Sequence, residues 1–93
     1  MIFEWDAAKS RRNFLERGLP FEFAIPMFDG PTLELSDDRR DYGEPRILAI
    51  GMVDGRALAC VYTDRDGARR IISLRMASRE ERDGYRAAYP SGD

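Results

Sequence analysis

The sequence predicts an α+β domain with two N-terminal helices, an antiparallel sheet of three to four strands and a C-terminal helix. Three observations carry this expectation. A capping aspartate precedes apolar residues at helical spacing near the N-terminus. Apolar runs between residues 46 and 76 are broken by Asp-Gly pairs, and a Ser-x-x-Glu capping box follows them. A chain of 93 residues buries only about 60% of its unfolded surface, so one domain spanning residues 1–93 with a single modest core is expected.

Each element follows from local chemistry. Asp6 is placed to cap a helix running to about Arg17, which Gly18 stops. Ala7, Ala8, Phe14 and Leu15 are expected as its buried stripe, with Lys9, Asn13 and Arg17 along a polar face. Phe21, Ala24, Ile25 and Phe28 suggest a second short helix entered through Pro20. Pro26 is incompatible with an unbroken helix, so a kink or stop near Ile25 is expected. Asp29-Gly30-Pro31 is a turn, and Thr32 to Ser36 is a short first strand. Strands are expected at Arg46–Val53 and Arg56–Thr63, joined by Asp54-Gly55, a pair suited to a two-residue hairpin because both positions need positive φ. Asp64 to Gly67 turns the chain into a strand at Ala68–Met76. Ser78 opens the last helix, to about Tyr89, and Pro90 to Asp93 should fray.

These turns set a register. If Val53 faces Arg56 and Thr63 faces Ala68, then Leu48, Ile50, Met52, Val61, Ile72, Leu74 and Met76 share one face, expected as the core beneath the helices. Ala49, Gly51, Leu58, Cys60, Tyr62, Arg69, Ile71, Ser73 and Arg75 share the other. Two readings of that second face stand: an ordinary solvated sheet face, or a partly basic surface that holds a phosphodiester, with Arg75 as clamp and Tyr62 as stacking or hydroxyl partner. Arg46 is the awkward residue, because strict register gives it the parity of the core; a bulge or a place outside the ladder would re-aim it.

Composition excludes several classes. Hydrophobic residues make up 43% and charged residues 34%, a balance typical of a folded domain. The only cysteine, Cys60, has no disulfide partner in the chain and no histidine to activate it, which fits a reducing, cytoplasmic setting. No apolar run approaches a membrane span, and the N-terminus carries neither a basic segment nor an apolar signal region, so a soluble protein that is not exported is expected. The net charge of −2 means that any nucleic-acid site must be local, since phosphate recognition draws on basic excess. Asp37, Asp38, Asp41 and Glu44 lack the spacing of a calcium loop, and no metal or other cofactor is expected.

The run Asp38-Arg39-Arg40-Asp41-Tyr42-Gly43-Glu44-Pro45-Arg46 loads acidic, basic and phenolic groups onto the mouth of a strand. That combination sets a base beside phosphate-binding guanidiniums, which is what cutting RNA requires. Together with Phe3-Glu4-Trp5-Asp6, Lys9, Asn13, Gly18, Phe21, Glu22, Ala24, Phe28, Gly51, Val61-Tyr62-Thr63, Arg70 to Ala77, Glu81-Arg82 and Tyr85, it resembles the BrnT toxin family, in motifs that extend from Phe3 to Tyr85. The resemblance implies a RelE-like ribonuclease fold, growth arrest through RNA cleavage, and neutralisation by a BrnA-like antitoxin. That antitoxin has a ribbon-helix-helix part, and operator DNA is contacted only through it.

The resemblance further implies cleavage without a metal, by attack of the RNA 2′-hydroxyl on its adjacent phosphate. Glu44 is the expected general base, kept ionised by Arg46. Arg46, Arg75 and Lys9 stabilise the phosphorane charge, Tyr62 or Ser73 orients the scissile group, and Arg17, Arg39 and Arg69 bind substrate. Relatives commonly carry Lys-His-Gly where this chain has Glu16-Arg17-Gly18, and arginine is a poor proton shuttle at neutral pH. The alternative reading is a catalytically weak or inactive partner-binding module of the same fold.

Overall fold

The computed structural model describes residues 1–90, so the expected fraying of residues 91–93 lies outside the described residues. The architecture is α+β as expected and differs in detail from the RelE-like description: five strands form one mixed sheet in the order β1-β5-β4-β3-β2. Strand β1 (Ile2–Trp5) was not anticipated; four residues ahead of a helix cap are too few to display an alternation. It pairs parallel to β5 (Ala68–Met76), whereas β2 (Leu33–Ser36), β3 (Ile47–Val53), β4 (Arg56–Arg65) and β5 are antiparallel neighbours.

Helix α1 (Ala7–Arg17) begins and ends where its caps dictate. The Asp6 carboxylate accepts from the N–H groups of Ala8 and Lys9 at 2.9 and 3.2 Å, and Gly18 takes the left-handed conformation at φ 72°. Phe21–Asp29 forms a 3₁₀ helix that runs through Pro26 without stopping near Ile25. Its three-residue turn aligns Phe21, Ala24 and Met27 on one side, and these are the segment's buried residues. Packing selects the tighter helix there. Helix α2 (Arg79–Ala88) opens on the full Ser78–Glu81 capping box, and the Tyr85 and Tyr89 hydroxyls tie it to the carbonyls of Pro31 and Thr32.

Both hairpins turn on Asp-Gly pairs with positive φ, Asp54-Gly55 and Asp66-Gly67. Val53 faces Arg56 as expected. The second pairing needs correction: Arg65, and not Thr63, faces Ala68, because the tight Asp66-Gly67 turn leaves Asp64 and Arg65 in the strand. A bulge follows, with Tyr62 opposite Ile71 but Val61 opposite Ser73, so Ile72 is the extra residue.

The face assignment also reverses. The larger core contains Ala49, Val53, Leu58, Cys60, Tyr62, Ile71 and Leu74, packed against Leu19, Phe21, Ala24 and Met27. That is the face expected to be open, and the 3₁₀ segment covers it because its small residues allow close approach. A Cβ on Gly51 would lie 2.5 Å from Met27 Cγ and 3.2 Å from Thr32 Cγ2. The other face carries a smaller cluster of Ile50, Ala57, Ala59 and Ala77, with Leu33, Leu48 and Tyr85. Helix α2 covers it near the Asp54-Gly55 end, while Met52 remains exposed. The bulge carries Leu74 to the covered face and leaves Ser73 and Arg75 on the open one.

Helix α1 corrects a second expectation. Ala7, Ala8, Phe14 and Leu15 are exposed, and the helix docks instead through polar groups. Strand β1 ends at Trp5 beside Ile71, so the outer edge of β5 beyond that point lacks a strand partner. The Asn13 amide donates to Leu74 O at 2.9 Å and Leu19 O at 2.6 Å, while buried Ser10 Oγ accepts from Phe21 N–H at 2.8 Å.

Gly51→Val is expected to lower the unfolding free energy by about 1–3 kcal/mol through overpacking against Met27. A urea midpoint that does not fall would contradict the seating of the 3₁₀ segment. Ser10→Ala, which leaves the Phe21 N–H buried without an acceptor, should cost a similar ~1–3 kcal/mol in the same measurement.

Candidate active site

The open face presents successive rows across β3, β4 and β5. Leu48, Val61 and Ser73 form one row, and Ile50, Ala59 and Arg75 the next towards the Asp54-Gly55 turn. On the other side of the Leu48 row lie Thr63 and Arg70, with Arg46 immediately before β3. Arg46 therefore needs no bulge beneath it. Its carbonyl accepts from Asp37 N–H at 2.8 Å and prolongs the β2–β3 ladder, so its parity sends the side chain to the face left open.

Loop 37–46 is ordered by its own polar groups. The buried Asp37 carboxylate receives Arg39 through Nε at 2.7 Å and a terminal nitrogen at 2.9 Å, which holds the acid below its usual range. Asp38 accepts from Ser36 Oγ, Asp41 accepts from Gly43 N–H, and Gly43 turns the chain at φ 73°. Thr63 Oγ1 donates to Pro45 O at 2.6 Å and anchors the loop to β4. The Tyr42 ring has two guanidiniums beside it, Arg40 at 5.6 Å and Arg46 at 3.8 Å from its centroid. The acidic residues of the loop are thus engaged with protein partners.

Glu44 is held differently from the expectation. Both of its oxygens accept from Arg65 at 2.8 Å, whereas Arg46 Nε stands 3.9 Å away. The hydrogen bonds from Arg65 are the main cause of a lowered Glu44 pKa; burial opposes them, and the charges of Arg65, Arg46 and Arg70 add to the lowering. The carboxylate is ionised but a weak base, with both oxygens occupied. Arg46 Nε is buried and has no hydrogen-bond partner among the described residues. Arg75 donates to both oxygens of Glu81 at 2.7 and 2.9 Å. Glu81 also closes the α2 capping box, and Arg75 first, assisted by Ser78, pulls its pKa down to about 2.

The fold brings Glu44, Arg46, Ser73 and Arg75 to one face, with Arg39 on the loop beside it. Tyr62 and Arg69 go to the opposite, covered face. Tyr62 belongs to the larger core, and its hydroxyl donates to the Glu34 carboxylate, with the two oxygens at 2.9 and 2.8 Å. Burial first, and then Glu34, raise its pKa. Arg69 stacks on Tyr62 at 4.0 Å and Phe28 at 4.9 Å while pairing with Asp64 at 2.9 Å. Lys9 lies at the rim, lining a small cleft with Asn13, Ile72 and Ser73. Arg17 is exposed on the last turn of α1. Buried Cys60 has its thiol pushed up to about 12 by desolvation and is inert. Sequence reasoning missed Arg65, Arg70 and Glu81. Arg65 and Arg70 become visible once Asp66-Gly67 is taken as the whole turn, and Glu81 once its capping role is placed beside Arg75.

Residues 5–81 match the family described as ribonuclease toxin, BrnT, of type II toxin-antitoxin system. Comparison with curated proteins gave no match.

The depressed Glu81 pKa ties stability to acid. A carboxylate whose folded pKa lies below its unfolded value contributes stability above the ordinary carboxylate range and loses it as pH falls towards about 2. Urea unfolding across this range should show the native chain losing stability more steeply than Glu81→Gln, which starts lower at neutral pH. Parallel acid curves would contradict the Arg75–Glu81 pairing.

Proposed function

The chain belongs to the BrnT family of ribonuclease toxins of type II toxin–antitoxin systems, and from that premise we propose that its open sheet face cuts RNA without a metal ion and thereby inhibits translation and growth. The observation that carries this reading is Arg46, a guanidinium on that face with no hydrogen-bonded carboxylate, 3.9 Å from Glu44. In the proposed reaction the 2′-hydroxyl gives its proton to hydroxide, the 2′-oxygen bonds to the adjacent phosphorus, the bond to the 5′-oxygen breaks, and that oxygen leaves with a proton from water, which regenerates the hydroxide. The products are a 2′,3′-cyclic phosphate and a 5′-hydroxyl.

Electrostatic stabilisation by Arg46, supported by Arg70, Arg75 and Arg39, supplies most of the acceleration in this reading. Lys9 and Ser73 lie at the edge, placed to meet a flanking phosphate. Glu44 orients Arg65 and accepts the 2′-hydroxyl proton only if one oxygen leaves that pairing. Its lowered pKa leaves little driving force for this transfer. A type II system implies a protein antitoxin. We take it to be a BrnA-like ribbon-helix-helix protein that covers this face and alone contacts operator DNA, in the cytoplasm where both RNA and toxin act. No helix among the described residues is long and apolar enough to cross a membrane. The second reading, a weak or inactive partner-binding module, is favoured by one feature: Glu44 and Arg75 are both engaged in bidentate pairs.

Purified protein in chelator-containing buffer should cleave RNA, and Arg46→Ala should reduce the rate about 100-fold to 1,000-fold, the usual cost of losing one oxyanion donor. Intact RNA together with unimpaired growth on expression would favour the partner-binding module. The chain has no histidine, so the cleavage rate should rise steadily with pH from about 6 to 9 as the 2′-hydroxyl ionises. A bell centred near neutrality would show a titrating acid–base pair that this mechanism does not contain.

A further inference from the structure

We propose that Tyr42 is the positioning residue of this site, holding Arg46 by its face so that the guanidinium edge is presented to one phosphodiester of the RNA. The inference rests on the ribonuclease reading and names how its principal cation is kept available. Arg39, Arg65, Arg69 and Arg75 are each ordered by two hydrogen bonds to a carboxylate: Asp37, Glu44, Asp64 and Glu81 respectively. A guanidinium held in that way has one bidentate edge, two of its five N–H donors, occupied, and a phosphate must displace the carboxylate to take that edge. Arg46 is ordered without that cost. Its guanidinium carbon is 3.8 Å from the Tyr42 ring centroid, its nearest carboxylate contact is 3.9 Å, and its Nε is buried without a partner among the described residues.

The two modes of holding use different parts of the group. Stacking engages the π face of the guanidinium, whereas phosphate oxygens take hydrogen bonds in its plane. A ring can therefore fix the orientation and leave the in-plane N–H groups of the two terminal nitrogens for substrate, since Nε itself is buried. Tyr42 is itself fixed by the turn around it, with Gly43 at φ 73° and its N–H bonded to Asp41 Oδ1 at 2.9 Å. Arg40 lies near the same ring, 5.6 Å from its centroid.

The test measures binding of an RNA made uncleavable by a 2′-deoxy substitution, across a salt series, alongside cleavage of ordinary RNA and thermal unfolding. Tyr42→Phe keeps the ring and should bind within about threefold of the native chain. Tyr42→Leu should weaken binding about tenfold or more and flatten the slope of log affinity against log salt by about 0.7, the loss of one phosphate contact on a single strand. It should have no further effect when Arg46 is already alanine. Tyr42→Gln, which also lacks a ring face, repeats the comparison if the leucine variant no longer unfolds cooperatively. An unchanged salt slope in the ringless variants, or an effect that persists in the Arg46→Ala background, would overturn the proposal, as would native protein that does not bind this RNA. Native protein that binds but never cleaves would overturn the ribonuclease reading alone, because the Tyr42 comparison is read from binding.

Discussion

Met27 lies over a strand position that has no side chain, and the rest of the molecule is arranged around that contact. A Cβ at Gly51 would meet Met27 Cγ at 2.5 Å, closer than carbon atoms approach without displacement. The 3₁₀ segment can seat there only because β3 and β4 offer Ala49, Gly51 and Cys60 on the same face. Once that face is closed, Arg46, Arg70, Ser73 and Arg75 are left on the other, with α2 covering only part of it. The location of the candidate site is thus a consequence of small residues on the far side of the sheet.

Charge has a second organising role. A chain with a net charge of −2 does not attract RNA through overall field, so a few guanidiniums must be placed accurately. Carboxylates do most of this placing: Asp37, Glu44, Asp64 and Glu81 each grip one arginine through both oxygens. Such pairs order the surface at the expense of donor availability. Arg46 is the exception, held by an aromatic ring, and it sits in the loop that Thr63 and the Asp37 backbone pin to the sheet. Rigidity and availability coincide at that residue.

Much of the fold was legible because local rules fix it. Asp6 and Gly18 delimit α1, Ser78 and Glu81 open α2, and Asp54-Gly55 sets the first hairpin register, all within a few residues of chain. The 3₁₀ helix through Pro26 was not legible, since it depends on Phe21, Ala24 and Met27 having a surface to pack against. Nor was the polar docking of α1: Phe14 and Leu15 read as buried by spacing, but the helix docks through Asn13 on the unpaired outer edge of β5 and through Ser10 on the 3₁₀ segment instead. Arg46 held the clearest warning. Its parity matched the supposed core, and the resolution was that the face itself had been assigned to the wrong layer.

By itself the sequence determined the α+β class, both helix caps, the first hairpin turn, the limits of β5 and the run from Asp38 to Arg46 as a chemically loaded loop. Those features depend on residues near one another in the chain. Tertiary structure alone decided which sheet face is covered, that β1 joins β5 in parallel, that Ile72 is a bulge, and that Glu44 pairs with Arg65 ahead of Arg46. The physical reason is that alternation tells which side chains share a face but carries no record of what packs on it. A single extra residue in β5 then exchanges the two faces beyond it, moving Leu74 into the larger core while Ser73 and Arg75 remain beside the candidate site.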